Sequence, residues 1–240
     1  MHRFHAPDLP PTGELVELPE DEARHLVQVL RLGPGDDVRV FDGHGREHEA
    51  RVEHVARGRA SLRVGPAVPA APEAAVAVTL AAALIKGDRF DDVVRDATML
   101  GVAAIRPIVT ARTEIAARRG DPDRRVERWR RIAISSAKQC GRAVVPDILS
   151  PASFADALRD LPRPLLLAVE PSAADGGRIP DGVPQAASLL IGPEGGWAPE
   201  ELDAARAAGA CPVSFGRRTL RADAAPLVAL TVLMHHWGAL

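Results

Sequence analysis

The chain has 240 residues, 46% of them hydrophobic, with 30 Lys and Arg against 32 Asp and Glu for a net charge of −2; these are the proportions of an ordinary globular protein of one or two domains. Aromatic residues make up 3% and Tyr is absent, which argues against a single-strand binder built on aromatic stacking platforms. The opening M-H-R-F-H-A-P has no apolar run and no stretch nears the roughly 18 apolar residues of a membrane span, so the expectation is a cytosolic protein.

Residues 5–64 read as a small β-rich domain with one helix. Pro19, Glu20, Asp21 and Glu22 open that helix with acids in the first turn, where the helix dipole favours them. Ala23, Leu26, Val27 and Leu30 recur at i, i+3, i+4 and i+7 and predict its apolar face. Residues 33–36 form a turn. Val38, Val40 and Phe41 predict a strand, 42–45 a hairpin turn, and 49–55 and 60–64 two more strands. Short strands at this spacing suggest a small barrel. The uncharged run Gly65-Pro66-Ala67-Val68-Pro69-Ala70-Ala71-Pro72 reads as a linker. It divides the chain into domains 1–70 and 71–240.

Beyond it, strands and helices alternate. Residues 76–84 form a near-continuous apolar strand, as in a sheet covered on both faces. Asp88 is placed to cap a helix whose buried face is Phe90, Val93, Val94, Ala97 and Leu100, and Gly101 ends it. Residues 104–109 predict a strand, 112–123 a basic loop, and 124–140 a helix with Val126, Trp129, Ala133 and Cys140 inward. Ile148 and Leu149, a helix over 153–161, and a strand over 165–169 follow. Residues 172–185 read as a surface loop. The strand at 188–191 ends in Gly192-Pro193-Glu194-Gly195-Gly196, and Pro199 with Glu200 and Glu201 opens a helix. A strand over 211–215 ends in Gly216-Arg217-Arg218 before a last helix carrying Leu227, Leu230 and Met234. The domain is therefore α/β with a mostly parallel sheet. Glycines at two consecutive strand ends let backbone approach a ligand closely, and such strand ends are where open α/β sheets bind ligands.

Several chemistries are absent. Gly192–Gly196 does not read G-x-G-x-x-G, and there is no G-x-x-x-x-G-K-[ST], no H-E-x-x-H and no deaminase zinc signature. Cys140 and Cys211 define neither a disulfide framework nor a metal site. His235 and His236 point to different faces of a helix, so no metal site is expected there, and Trp237 beside them is a core or dimer contact. Charge is uneven: residues 112–142 hold ten basic residues against four acidic. Two readings stay open for that stretch, a polyanion footprint or a solvated arginine-rich helix.

The segments I-G-P-E-G-G (191–196) and F-G-R-R-T-L-R-A-D-A-A (215–225) resemble signatures of the SPOUT superfamily of knotted RNA methyltransferases. Within it, the chain is most similar to the family that methylates N3 of a uridine in 16S ribosomal RNA. H-x-x-x-V-L-R-L-x-x-G-D-x-V-x-V-F-D-G from His25, K-G-D-R-F at 86–90 and Q-C-G-R at 139–142 extend the resemblance over nearly the whole chain. One departure is that Asp223-Ala224 stands where the family usually has Glu-Thr, which keeps the charge on a shorter arm and removes a hydroxyl.

The resemblance implies a PUA-like barrel, a trefoil-knotted Rossmann-like domain, a homodimer packed through the last helix, and S-adenosylmethionine as cofactor. It implies that the cofactor lies among Ala168, Val169, Glu170, Ile191, Gly192, Pro193, Gly195, Gly196, Phe215, Gly216, Leu220 and Ala225. Arg221 is the expected functional side chain, holding a phosphate or a uracil oxygen as negative charge develops, with a surface salt bridge as the bland alternative. Glu194 and Asp223 can attract a sulfonium, assist deprotonation, or simply cap helices. RNA phosphates are expected at Arg31, Lys86, Arg89, Arg112, Arg118, Arg119 and Arg142, and the target base must leave its stack to be reached. Competing readings are a knotted methyltransferase acting on tRNA and a non-catalytic RNA-binding or ribosome-assembly factor.

Overall fold

A computed structural model describes residues 1–114, 121–171 and 178–239. It divides into two compact units, one of Met1–Glu73 with Ile134–Val145 and one of Ala74–Ala133 with Pro146–Leu240. The division at Glu73 lies close to the expected linker. The inclusion of 134–145 in the first unit is not something the linear sequence announced.

The first unit is a five-stranded sheet of β1 (Arg3–His5), β2 (Leu15–Glu17), β3 (Asp37–Phe41), β4 (Glu47–Ala56) and β5 (Arg59–Val68), ordered β1-β3-β4-β5-β2. β1 pairs with β3 in parallel and the other pairs are antiparallel. Alternation puts Val38, Val40, Val52, Leu62 and Val64 into one core with Phe4 and Leu26. β5 runs on through Gly65 and Pro66 to Val68, which pairs with Glu47, so half of the expected linker is strand. The predicted helix is α1 (Glu20–Arg24), which widens into a π-helical turn over His25–Val29. That turn still buries Leu26 but leaves Val29 67% exposed.

Residues 134–145 are fastened to β1 and α1 by polar bonds. Arg3 donates to the carbonyls of Ala137, Lys138 and Arg142 at 2.8, 3.0 and 2.9 Å, satisfying acceptors at a helix C-terminus, and it pairs with Glu47. Lys138 Nζ donates to both oxygens of Glu22 at 2.8 and 2.7 Å. Phe41, Ala137 and Ala143 form a small apolar cluster beneath these bonds.

The second unit is built on an all-parallel sheet of β6 (Ala77–Ala83), β7 (Ala104–Val109), β8 (Asp147–Ile148), β10 (Leu165–Ala168), β11 (Ala186–Ile191) and β12 (Cys211–Val213), ordered β12-β10-β11-β6-β7-β8, with β9 (Ala152–Ser153) on β7. Six of the seven residues of β6 are buried, as expected of a strand covered on both faces. Its helices are α2 (Arg89–Met99), the first part of α3 (Pro122–Cys140), α4 (Phe154–Asp160), α5 (Pro199–Ala207) and α6 (Ala225–His236). Phe90 of α2 packs on Trp129 of α3 at 4.6 Å between ring centres, and the Trp129 indole donates to Asp91 at 3.1 Å.

Asp88 precedes α2 but makes no side-chain cap; its carboxylate pairs with Arg128 at 3.1 Å instead. Gly101 closes α2 with φ +90°, the left-handed conformation that glycine adopts without cost. Ser153, rather than leading α4, caps it by accepting from Asp156 N at 3.1 Å. Trp237 is 5% exposed and belongs to the core.

Candidate active site

The C-terminal ends of β10, β11 and β12 surround a cleft of about 490 Å³. The first wall continues β10 through Ala168, Val169, Glu170 and Pro171. The second is the turn Gly192–Gly196 after β11, and the third is the segment from Ser214 through Ala225, which leads into α6. Parallel pairing brings the three strand ends level: Leu167 lies opposite Leu190 on one side and Pro212 on the other.

Sequence chemistry explains why the turn after β11 holds its shape. Gly196 adopts φ +68° and its amide donates to Pro193 O at 2.9 Å, closing a tight turn. A Cβ on Gly192 would sit 3.1 Å from the ring of Trp197, and one on Gly195 would sit 3.2 Å from Arg112 Cβ. Neighbouring groups are thus packed directly on the glycine backbone. Trp197 is buried, donates its indole N–H to Ala168 O at 2.8 Å, and packs on Phe154 at 5.0 Å, so it ties the end of β10 to the turn after β11. On the far wall, Gly216 has φ +120° and its carbonyl accepts from Ser214 Oγ at 3.0 Å.

Charge gathers at the mouth. Arg221 donates to both oxygens of Asp223 at 3.2 and 3.0 Å. Arg89 lies 3.9 Å from Asp223 and 4.0 Å from Glu194. Arg112 donates to Gly195 O at 2.9 Å. Two acids and three arginines therefore share one rim, and the arginine side chains of positions 89 and 221 remain 51% and 71% exposed.

Of the residues singled out in the sequence, Ala168, Val169, Glu170, Ile191, Gly192, Pro193, Glu194, Gly195, Gly196, Phe215, Leu220, Arg221 and Ala225 line this cleft, together with Arg89 and Arg112. Gly216 lies in the same wall without lining it. Lys86 is exposed near Glu114, and Arg31 is exposed in the first unit with φ 56°. Arg118 and Arg119 lie outside the described residues. Arg142 corrects the expectation that it meets phosphate: it is 6% exposed and its guanidinium is bonded to Glu73, so no face is open to RNA. Sequence reasoning missed Pro171, Trp197, Leu202, Ser214, Arg218 and Thr219 in the lining. An aromatic placed directly after the glycine turn was the signal for Trp197. His235 and His236 are both exposed, and no cluster of metal-ligating side chains occurs among the described residues.

Comparison with known proteins agrees with this architecture. Residues 72–234 match the family model described as RNA methyltransferase domain, and residues 18–65 match the RNA methyltransferase PUA domain. The ribosomal RNA small subunit methyltransferase E of Synechocystis is 36% identical, over 90% of this chain and 71% of its own length. The protein of the same name from Bacillus subtilis is 29% identical over 96% and 91%. The crystal structure of the Neisseria gonorrhoeae ribosomal RNA small subunit methyltransferase E, bound to S-adenosyl methionine, superposes with a TM-score of 0.88 at 33% identity, covering 99% of this chain and 98% of that one. By fold, by cleft and by similarity along both units, the chain belongs to the ribosomal RNA small subunit methyltransferase E family.

Proposed function

We propose that this protein transfers a methyl group from S-adenosylmethionine to N3 of a uridine in 16S ribosomal RNA. The observation that carries the reading is the cleft itself, with glycine turns after the two parallel strands that flank β10 and Arg221 on the rim. At about 490 Å³ it has the size of a small-molecule site. Its lining fits the cofactor: Val169, Ile191 and Gly195 line the cleft where adenine and methionine groups would lie, and Glu170 and Glu194 supply negative charge towards a cation. When bound, S-adenosylmethionine supplies an electrophilic methyl on a positively charged sulfur.

The chain's own residues then have two tasks. One is to hold the uracil ring as its N3 proton leaves and negative charge spreads to the ring oxygens. Arg221 is suited to that, since a guanidinium cannot lose its charge and offers two parallel donors. The other is to accept the proton. Asp223 is engaged by Arg221 at both oxygens, which leaves Glu194, held among the described residues by the 4.0 Å contact with Arg89, as the freer carboxylate.

Arg89 and Arg112 at the rim, with Lys86, Arg118, Arg119 and the PUA-like unit's Arg31, supply phosphate contacts, so affinity for RNA falls as salt rises. The reading includes a trefoil knot in the second unit and action in the cytoplasm on small ribosomal subunits. It also includes a homodimer packed through α6, where Leu227 and Val232 stay 40% and 41% exposed. No helix among the described residues is long and apolar enough to cross a membrane.

The test is incubation of the protein with labelled S-adenosylmethionine and small subunits from cells lacking the modification, followed by digestion to nucleosides. Label in 3-methyluridine is expected. Label in any other nucleoside moves the target atom, and absence of label with no cofactor uptake retires the catalytic reading.

A further inference from the structure

Glu201 is a buried acid in the first turn of α5, 9% exposed, and the chemistry above makes no use of it. Its two oxygens serve two backbones far apart in the chain. Oε2 accepts from Ala198 N at 3.0 Å, while Oε1 accepts from Ala111 N at 2.7 Å. The bond to Ala198 is the half of a capping box that satisfies the amide at the start of the helix. The bond to Ala111 adds nothing to the helix. It fixes a turn that follows β7, where Thr110 N donates to Thr113 Oγ1 at 3.0 Å and both threonines are buried.

What that turn delivers is Arg112, the residue after Ala111. Its Nη1 donates to Gly195 O at 2.9 Å, and its Cβ packs where a side chain on Gly195 would be. One carboxylate therefore anchors the turn from which Arg112 reaches over to the glycine turn, and holds the start of the helix that follows that glycine turn.

We infer that Glu201 is a positioning residue for the cleft: it sets the 110–113 turn so that Arg112 clamps Gly195, and through that clamp it shapes the backbone that receives the cofactor. The last step rests on the cofactor reading given above; the clamp itself does not. The structure explains why an acid is required. Two amide donors converge on one side chain, so both of its oxygens must accept. Glutamine can offer only one oxygen, and its amide nitrogen would face the second donor. A merely structural cap would be served by the Ala198 bond alone.

The experiment compares wild type, Glu201→Gln, Arg112→Ala and the double variant. Hydrogen exchange on the ligand-free proteins reads the clamp, and calorimetry with S-adenosylmethionine reads its consequence. Glu201→Gln should speed exchange about tenfold over 110–113 and 192–196 and weaken cofactor binding by a similar factor, the cost of losing one hydrogen bond to a charged acceptor. Arg112→Ala removes an exposed side chain and spares the helix cap, and should reproduce the faster exchange over 192–196. The double variant should bind no more weakly than the weaker single one, because both act through the same contact. Unchanged exchange over 192–196 in either single variant overturns the inference, and so do losses that multiply in the double. If wild type takes up no cofactor, the cofactor reading fails, and exchange alone decides whether Glu201 holds the clamp.

Discussion

Arg221 meets Asp223 at two points, Nε to Oδ1 at 3.2 Å and Nη2 to Oδ2 at 3.0 Å, two residues apart in the segment that leads into α6. The Arg221 side chain is 71% exposed, and an exposed pair of this kind contributes at most about 1 kcal/mol to stability. Its consequence is orientation: the carboxylate holds the guanidinium at the rim of the cleft. Asp223→Asn should therefore leave the thermal midpoint nearly unchanged and lower the single-turnover rate of methyl transfer. Arg221→Ala should lower it further, by on the order of 10²-fold, as removal of a donor to developing negative charge does. A wild-type rate in Asp223→Asn would show that the guanidinium needs no partner.

The indole of Trp197 joins two walls of the cleft through its bond to Ala168 O and its packing against Gly192. Phenylalanine keeps most of the packing and loses the donor. Trp197→Phe should cost about 1–2 kcal/mol in urea unfolding, the range for one buried hydrogen bond whose acceptor is left unpaired. Affinity for S-adenosylmethionine should fall several-fold as the end of β10 loosens. Calorimetry beside the unfolding curve checks both, and an unchanged affinity would mean that Ala168 is held by the sheet alone.

Much of the cleft is legible in sequence because it is made of backbone. Glycines at two consecutive strand ends mark where side chains must be absent, and Gly196 and Gly216 do adopt positive φ. The strand 104–109 and the proline-led helix at 199 follow local pattern and coincide with β7 and α5. What is not legible depends on distant partners. Arg142 has the charge of an RNA contact, and its pairing with Glu73, 69 residues away, is what the sequence does not show. Residues 134–145 join the first unit through Arg3, Glu22 and Phe41, none of which is near them in sequence. β1 and β2, at three residues each, are too short for periodicity to register. Glu201 reads as a first-turn acid, and nothing local points to Ala111.

Acid should destabilise the first unit in two stages. Burial pushes the His5 imidazole below its ordinary 6.5, outweighing the pull of Glu22 in the other direction. Burial also acts to raise Asp42, but the Arg46 side chain and the amides of His44 and Arg46 overcome it and hold the carboxyl below its ordinary 3.8. Each group binds fewer protons folded than unfolded, so each contribution is complete above the unfolded value and is lost as pH falls. The His5 loss begins below 6.5 and the Asp42 loss below 3.8. Thermal midpoints should decline between pH 7 and 5 in wild type and stay flatter in His5→Asn, while both fall near pH 3. Parallel curves for the two proteins between pH 7 and 5 would remove His5 as the cause of the first stage.

Lys138 and Glu22 of α1 form an enclosed ion pair joining 134–145 to the rest of the first unit, with side chains 13% and 8% exposed. Lys138 also lies 5.3 Å from the centre of the Phe4 ring, an added cation–π contact. Removing one partner of such a pair strands a charge in a poorly solvated place, at a cost of about 3–5 kcal/mol, whereas replacing both by apolar groups is often close to neutral. Lys138→Met should therefore lose about 3 kcal/mol in urea unfolding, and Glu22→Leu with Lys138→Met should recover more than half of that loss. Recovery should be incomplete because Glu22 also accepts from His5 N at 3.2 Å. As a reference, Arg24→Ala breaks the exposed pair with Glu20 and should shift stability by no more than about 0.5 kcal/mol. Equal small losses for Lys138→Met and Arg24→Ala would mean that water reaches Glu22 and that the pair contributes little to fastening residues 134–145.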